Sequence, residues 1–104
     1  MLESEASIVI IGDVEHGARV TAKGNVIILG ELTGTVTAGA AGNDQAVILA
    51  FSMSPLQLRI GDHTSRFNEK NRRLGKGTMI ASVEEGELKI LPLKKPFLGS
   101  LLKI

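Results

Sequence analysis

Residues 8–43 read IVIIGDVEHGARVTAKGN followed by VIILGELTGTVTAGAAGN. Gly12 returns as Gly30, Val14 as Leu32, Gly24 as Gly42 and Asn25 as Asn43, each after 18 residues. A unit of that length is too short for a helical hairpin with its turns. It is long enough for one coil of a β-solenoid, where three short strands are joined by corners and like residues stack in columns. Glycine suits corners that need positive φ or close backbone approach, and Asn tolerates the left-handed conformation better than most residues. The repeat therefore predicts an all-β fold, a short triangular β-solenoid, with an antiparallel sandwich of ordinary hairpins as the competing arrangement.

The rest of the chain agrees with strands and corners. Of 104 residues, 43% are apolar but only 3% aromatic, and 12 are glycine, a balance that favours Ile/Val-rich strands over helices. The length suits one domain. Absence of cysteine excludes a disulfide framework and a thiolate metal site, and is compatible with a reducing cytosol. No apolar run is long enough to span a bilayer, and the N-terminus lacks the pattern of a signal peptide. Net charge is +1 but uneven: residues 1–62 carry −4 and residues 63–104 carry +5. A basic second half can meet an acidic partner, or it is a solvated loop and tail.

Strand positions alternate sides, yet residues 8–11, 26–29 and 46–51 are apolar at every position. One alternate set fills the interior, and the other forms a continuous apolar outer face. The runs do not say which set is which; Ile8, Ile10, Val26, Ile28, Val47 and Leu49 are assigned to the outer face. A bare apolar face of this kind implies burial against something, either a second copy in a two-fold dimer or the apolar tail of this chain. A dimer burying about 800 Å² per protomer, at roughly 25 cal/mol per Å² of apolar area, has a large gross driving force from which association costs are subtracted.

The remaining faces alternate polar with apolar. Glu15, His16, Arg19, Thr21 and Lys23, then Glu31, Thr33, Thr35 and Thr37, point outward, with Val14, Val20, Leu32 and Val36 inward. Flat polar faces suit protein partners better than small molecules. From His63 to Thr78 the apolar pattern lapses into a loop with Phe67 and Leu74 as anchors. Residues 79–93 regain strand character around an EEGE turn, as a hairpin or a last capping coil.

The chemistry of an enzyme is absent from the pattern. His16 and His63 have no partners at ligand spacing, so no metal or other cofactor is expected. LGKGT at residues 74–78 lacks the full phosphate-loop spacing, and no serine sits in a nucleophile elbow. Arg66, Lys70, Arg72, Arg73 and Lys76 cluster with Phe67 alone interleaved, too weak a signal for nucleic-acid binding.

Residues 12–62, GDVEHGARVTAKGNVIILGELTGTVTAGAAGNDQAVILAFSMSPLQLRIGD, strongly resemble the C-terminal domain of the bacterial septum-site protein MinC. Its run has the form GDVxxGAxVxAxGNVxxxGxLxGxxxAGxxGNxxAxIxAxxxxPxQLRI. The resemblance implies a right-handed β-helix that forms a homodimer through an apolar face and docks on the membrane-associated ATPase MinD. It implies a role in septum site selection, blocking FtsZ ring assembly at wrong sites, directly or through a separate N-terminal domain outside this chain. It implies a cytoplasmic protein recruited to the inner face of the membrane only through MinD. An RSGQ-type segment that contributes to MinD contact in relatives would precede Ile8 and is not in the chain. His16, Gly17, Arg19, Thr33 and Thr35 are the candidate MinD face. Relatives often have Arg at the position of Thr33, so the charge of that column falls to Arg19 here. Residues 1–7 are expected to be an artificial start or linker, 8–95 the β-helix domain and 96–104 a tail. The alternative is a bactofilin-like, polymer-forming β-solenoid, to be recognised by filaments formed without MinD. A hexapeptide-repeat acyltransferase is a further alternative, since 18 is three sixes; it would need a catalytic His and many coils.

Overall fold

The computed structural model describes residues 1–68, 70, 71, 74 and 77–93. Ten strands run in order: β1 (Leu2–Ser4), β2 (Ile8–Ile11), β3 (Arg19–Ala22), β4 (Val26–Leu32), β5 (Thr35–Ala38), β6 (Ile48–Met53), β7 (Gln57–Ile60), β8 (His63–Arg66), β9 (Met79–Glu84) and β10 (Glu87–Pro92). They form two five-stranded sheets, ordered β1-β3-β5-β7-β8 and β10-β9-β6-β4-β2. Strands alternate between the sheets along the chain from β1 to β7, and their neighbours within each sheet run parallel. That is the signature of a coil winding through successive rungs. A narrow third side carries the isolated parallel bridge between Val14 and Leu32, which completes the triangle.

The coils are not of equal length. Ile8 lies over Val26 and Val14 over Leu32, both steps of 18, whereas Arg19 lies over Thr35, a step of 16. Val26 lies over Ile48 and Thr35 over Gln57, steps of 22. Gly12 and Gly30 do stack: a Cβ on Gly30 would lie 2.2 Å from the Gly12 carbonyl oxygen, so only glycine fits there. The predicted columns Gly24/Gly42 and Asn25/Asn43 do not form. Gly24 accepts from the amide of Gly39, and Asn43 is held in a turn by its N–H bond to the Gly39 carbonyl. The extra residues of the longer coil are taken up in that turn. Asn25 instead stacks between Ser7 and Val47: its amide donates to Ser7 Oγ at 2.9 Å, and its Oδ1 accepts from the Val47 amide at 2.9 Å. Asp13 does the same at another corner, accepting from the Glu31 amide at 2.7 Å. Corner side chains thus satisfy amides that the short strands leave unpaired.

Leu2–Ser4 corrects the expectation that residues 1–7 are a linker. Its register with Val20, Thr21 and Ala22 makes it the strand of a preceding coil. At the other end winding stops: β8 pairs antiparallel with β7, and β9 antiparallel with β6. His63–Arg66, expected as loop, is therefore a strand, while Phe67 and Leu74 pack on the core as expected. Residues 79–93 form a hairpin rather than a coil, β9 and β10 turning at Glu85 and Gly86. Both have positive φ (52° and 77°), the requirement of a two-residue primed turn that matches strand twist. The tail at 96–104 and basic residues Arg72, Arg73 and Lys76 lie outside the described residues.

The core is aliphatic, and among the described residues no buried side-chain polar atom lacks a hydrogen-bond partner. Two inward rows cross the second sheet: Ile8, Val26, Ile48, Ala81 and Ile90, then Ile10, Ile28, Ala50 and Met79. Ile28 is fully buried. Its truncation, Ile28→Ala, leaves a cavity between stacked coils and is expected to lower the unfolding free energy by about 3 kcal/mol, read by urea denaturation. A loss below about 0.5 kcal/mol is what an outward-facing position gives.

Candidate interaction faces

The apolar outer face exists, but on the other alternate set. Ile8, Val26 and Ile28 are buried inside the coil, and Ile10 packs against the same core; all four are corrected from outer to inner. Val47 and Leu49 do belong to the outward phase. The register draws one outward row across all five strands, Val9, Ile27, Leu49, Ile80 and Leu91, flanked by Ile11 and Leu29 on β2 and β4. Val9 is 60% exposed, Ile11 87%, Phe51 51% and Leu91 47%. The error has a physical cause: where both alternate sets are apolar, hydropathy carries no phase. The phase is set by how the corners turn, and corner lengths differ from coil to coil.

The first sheet offers the contrasting face. Its inward positions, Val20 and Ala22 on β3, Val36 and Ala38 on β5, Leu58 and Ile60 on β7, are buried. Outward stand Arg19, Thr35, Gln57 and Arg66 in one row and Thr21, Thr37, Arg59 and Thr64 in the next. A shallow groove of about 240 Å³ lies over β5, lined by Arg19, Thr35, Thr37, Gln57 and Arg59 among others. That is below the usual range of roughly 300–1,000 Å³ for small-molecule sites. A larger hollow of about 460 Å³, lined by Ile10, Val14, Val20 and Arg19, lies at the first-coil end of the stack. Exposed Asp13 and Gly17 also line it, so it brings the candidate residues Gly17 and Arg19 to one rim.

The proposed partner residues fall at different places. Arg19 and Thr35 are direct cross-strand neighbours on the polar face. His16 and Gly17 sit in the exposed corner leading into β3, closed by the Ala18 amide donating to the Glu15 carbonyl at 2.9 Å. Thr33 is turned back onto the coil: its amide and its Oγ1 both donate to the Val14 carbonyl, at 2.8 and 3.1 Å. Its hydroxyl therefore serves the stack. Gln57, Arg59 and Thr37 escaped the first assignment, although the alternation in TVTA and QLRI signals them as outward. Among the described residues no cluster of His, Cys, Asp and Glu is arranged to hold a metal ion.

The class this defines is a short β-solenoid domain with one apolar and one polar sheet face. The model of the family "Septum formation inhibitor MinC, C-terminal domain" matches residues 1–93, and the chain belongs to that family. The probable septum site-determining protein MinC of Agathobacter rectalis is 35% identical over 111 residues, covering 97% of this chain and 46% of that protein. That of Geobacillus kaustophilus is 45% identical over 85 residues, covering 82% and 37%. The chain thus spans less than half the length of these relatives. Among solved structures it is similar to a chain of the MinC:MinD cell division protein complex of Aquifex aeolicus, with a TM-score of 0.83 and 33% identity over 98% of this chain and 85% of that one.

Gly17 has φ +91° with open space where a Cβ would be, so its requirement is conformational rather than steric. Gly17→Ala is expected to cost about 1–2 kcal/mol of stability, measured by thermal unfolding at matched concentration. An unchanged midpoint would show that the corner can relax.

Proposed function

We propose that this chain is the dimerisation and MinD-docking module of a cell division inhibitor. The observation that carries the reading is the fold-wide likeness to a chain of a MinC:MinD complex at 33% identity. The outward apolar row supports the dimer: Val9 and Ile11 lie on the edge strand β2, more than half exposed, while Leu49 and Ile80 in the middle of the row are only 7% and 6% exposed, so the bare part of the face lies at β2 and at Phe51 and Leu91. A two-fold contact covers that face with its own copy. The polar sheet on the other side remains available to MinD, with Arg19 and Thr35 at its centre and His16 and Gly17 at its rim.

The module works as an adaptor and not as an enzyme. Through MinD, an ATPase held at the membrane, it brings the inhibitor to the inner face of the membrane from the cytoplasm. The attack on FtsZ assembly belongs to the whole inhibitor, exerted directly by this module or by another part of the protein. No helix among the described residues is long and apolar enough to cross a membrane. The module proper extends over residues 1–93, the span of the family match.

Two substitutions separate the faces. Ile11→Asp is expected to leave the fold intact, because Ile11 is 87% exposed, and to convert the dimer to monomer in sedimentation velocity at micromolar concentration. Arg19→Glu is expected to keep the dimer and abolish co-sedimentation with MinD, ATP and vesicles. A monomeric wild-type chain would refute the dimer, and undiminished pelleting of Arg19→Glu would refute the docking face.

A further inference from the structure

The outward rows of the first sheet have a charge pattern that the docking reading does not use. Arginines stand on β3 (Arg19), β7 (Arg59) and β8 (Arg66), and the strand between the first two, β5, presents only Thr35 and Thr37. Long cationic side chains therefore rise on both sides of a floor of short hydroxyls. The nearest acidic groups are peripheral: Glu3 beside Thr21 on the edge strand β1, and Asp62 in the turn after β7.

Arg59 is already positioned. Its Nε–H donates to the Gly61 carbonyl at 2.8 Å, and its Nη2 lies 3.7 Å from Asp62 Oδ1, with the two side chains 45% and 85% exposed. An ion pair that open to water contributes little. The Nε bond, however, restrains the guanidinium, so less side-chain freedom is lost when a ligand is bound. Guanidinium groups also offer several donors in a planar fork that matches carboxylates.

The register sets how far apart the arginines are rooted. With strands about 4.8 Å apart and alternate residues about 6.7 Å apart along a strand, the backbone positions of Arg19 and Arg59 are separated by about 12 Å, and those of Arg19 and Arg66 by about 14 Å. The groove between them, about 240 Å³, takes side chains of a macromolecular surface rather than a small molecule.

We propose that this face is a carboxylate clamp: the docked partner presents an acidic surface whose carboxylates pair with Arg19 and Arg59, with Arg66 extending the cationic rim. The inference rests on the docking reading above and deepens it, naming the chemistry of the surface that docks and adding Arg59 and Arg66 to the residues that hold it. Thr35 and Thr37 line the same groove as Arg19 and Arg59. Rim charges of this type act on the association rate and on its salt dependence.

The test measures binding of the full chain to ATP-loaded MinD at about 50 and about 300 mM KCl, which differ severalfold in screening of exposed pairs. Arg59→Gln is expected to weaken binding about three- to fivefold at low salt, Arg59→Gln with Arg66→Gln more, and both losses shrink at high salt. Arg59→Lys, which keeps the charge but loses the fork and the Gly61 bond, restores part of the affinity and its salt dependence. Wild-type binding by Arg59→Gln at both salt levels, with Arg19→Glu inactive, would overturn the clamp and leave the docking face standing. Wild-type binding by both Arg59→Gln and Arg19→Glu would overturn the docking face and the clamp together. A loss that ignores salt and is not rescued by Arg59→Lys would also overturn the clamp, because it would trace to the Gly61 bond.

Discussion

Parallel pairing of one coil with the next is the constraint from which the other features follow. Each strand is only three to seven residues long, too short to be stable alone, so its backbone groups must find partners on the coils above and below. That pairing locks the side chains into rows that run across the sheets. Corners must let it happen, which is why Gly12 and Gly30 meet without side chains and why Ser7, Asp13 and Asn25 lend oxygen atoms to neighbouring amides. A slip of one residue would exchange the inner row for the outer one. On the first sheet the buried Val20, Val36, Leu58 and Ile60, alternating with polar residues, hold the register against it, and on the second the corners do.

Locked rows turn a sequence with little chemistry into two surfaces with opposite properties. On the second sheet both phases are apolar, so a closed core and an outward aliphatic row, bare at Val9 and Ile11 and covered at Leu49 and Ile80, are built from the same strands. On the first sheet the outward phase is threonine and arginine. A dimer through the former leaves the latter displayed twice, on opposite flanks of a two-fold assembly. In the proposed dimer, two copies of the polar face would engage a partner together, and linked contacts bind more tightly than single ones. That arrangement suits a protein that responds to a partner gathered on a surface.

Much of the fold was legible because the stack demands repetition. Gly12/Gly30 and Val14/Leu32 recur at the 18-residue step of the pairing, and the resemblance in residues 12–62 carried the family. Gly24/Gly42 and Asn25/Asn43 recur at the same step in the sequence and yet do not stack, since corner insertions are local and leave no trace in a periodicity count. The phase of IVII and VIIL was illegible for a related reason: Ile8 and Val9 are equivalent in hydropathy, and only the turn before them decides which goes in. In the polar strands alternation supplies the phase directly, which is why the outward orientation of Arg19 and Thr35 is legible in RVTA and TVTA. Thr33 shows the limit of that logic, because a corner threonine can spend its hydroxyl on its own backbone. The strand nature of Leu2–Ser4 was hidden by its composition, LES, and is set by what lies beneath it.

The most direct measurement is methyl NMR with a soluble paramagnetic agent, which broadens side chains according to their exposure. Methyl groups of Val9, Ile11 and Ile27 are predicted to be shielded at high protein concentration and to become exposed on dilution into monomer. Those of Thr21 and Thr37 are predicted to stay exposed throughout, and those of Val26 and Ile28 shielded throughout. Concentration-independent exposure of Val9 and Ile11, with shielding of the threonine methyls instead, would contradict a dimer built on the aliphatic face.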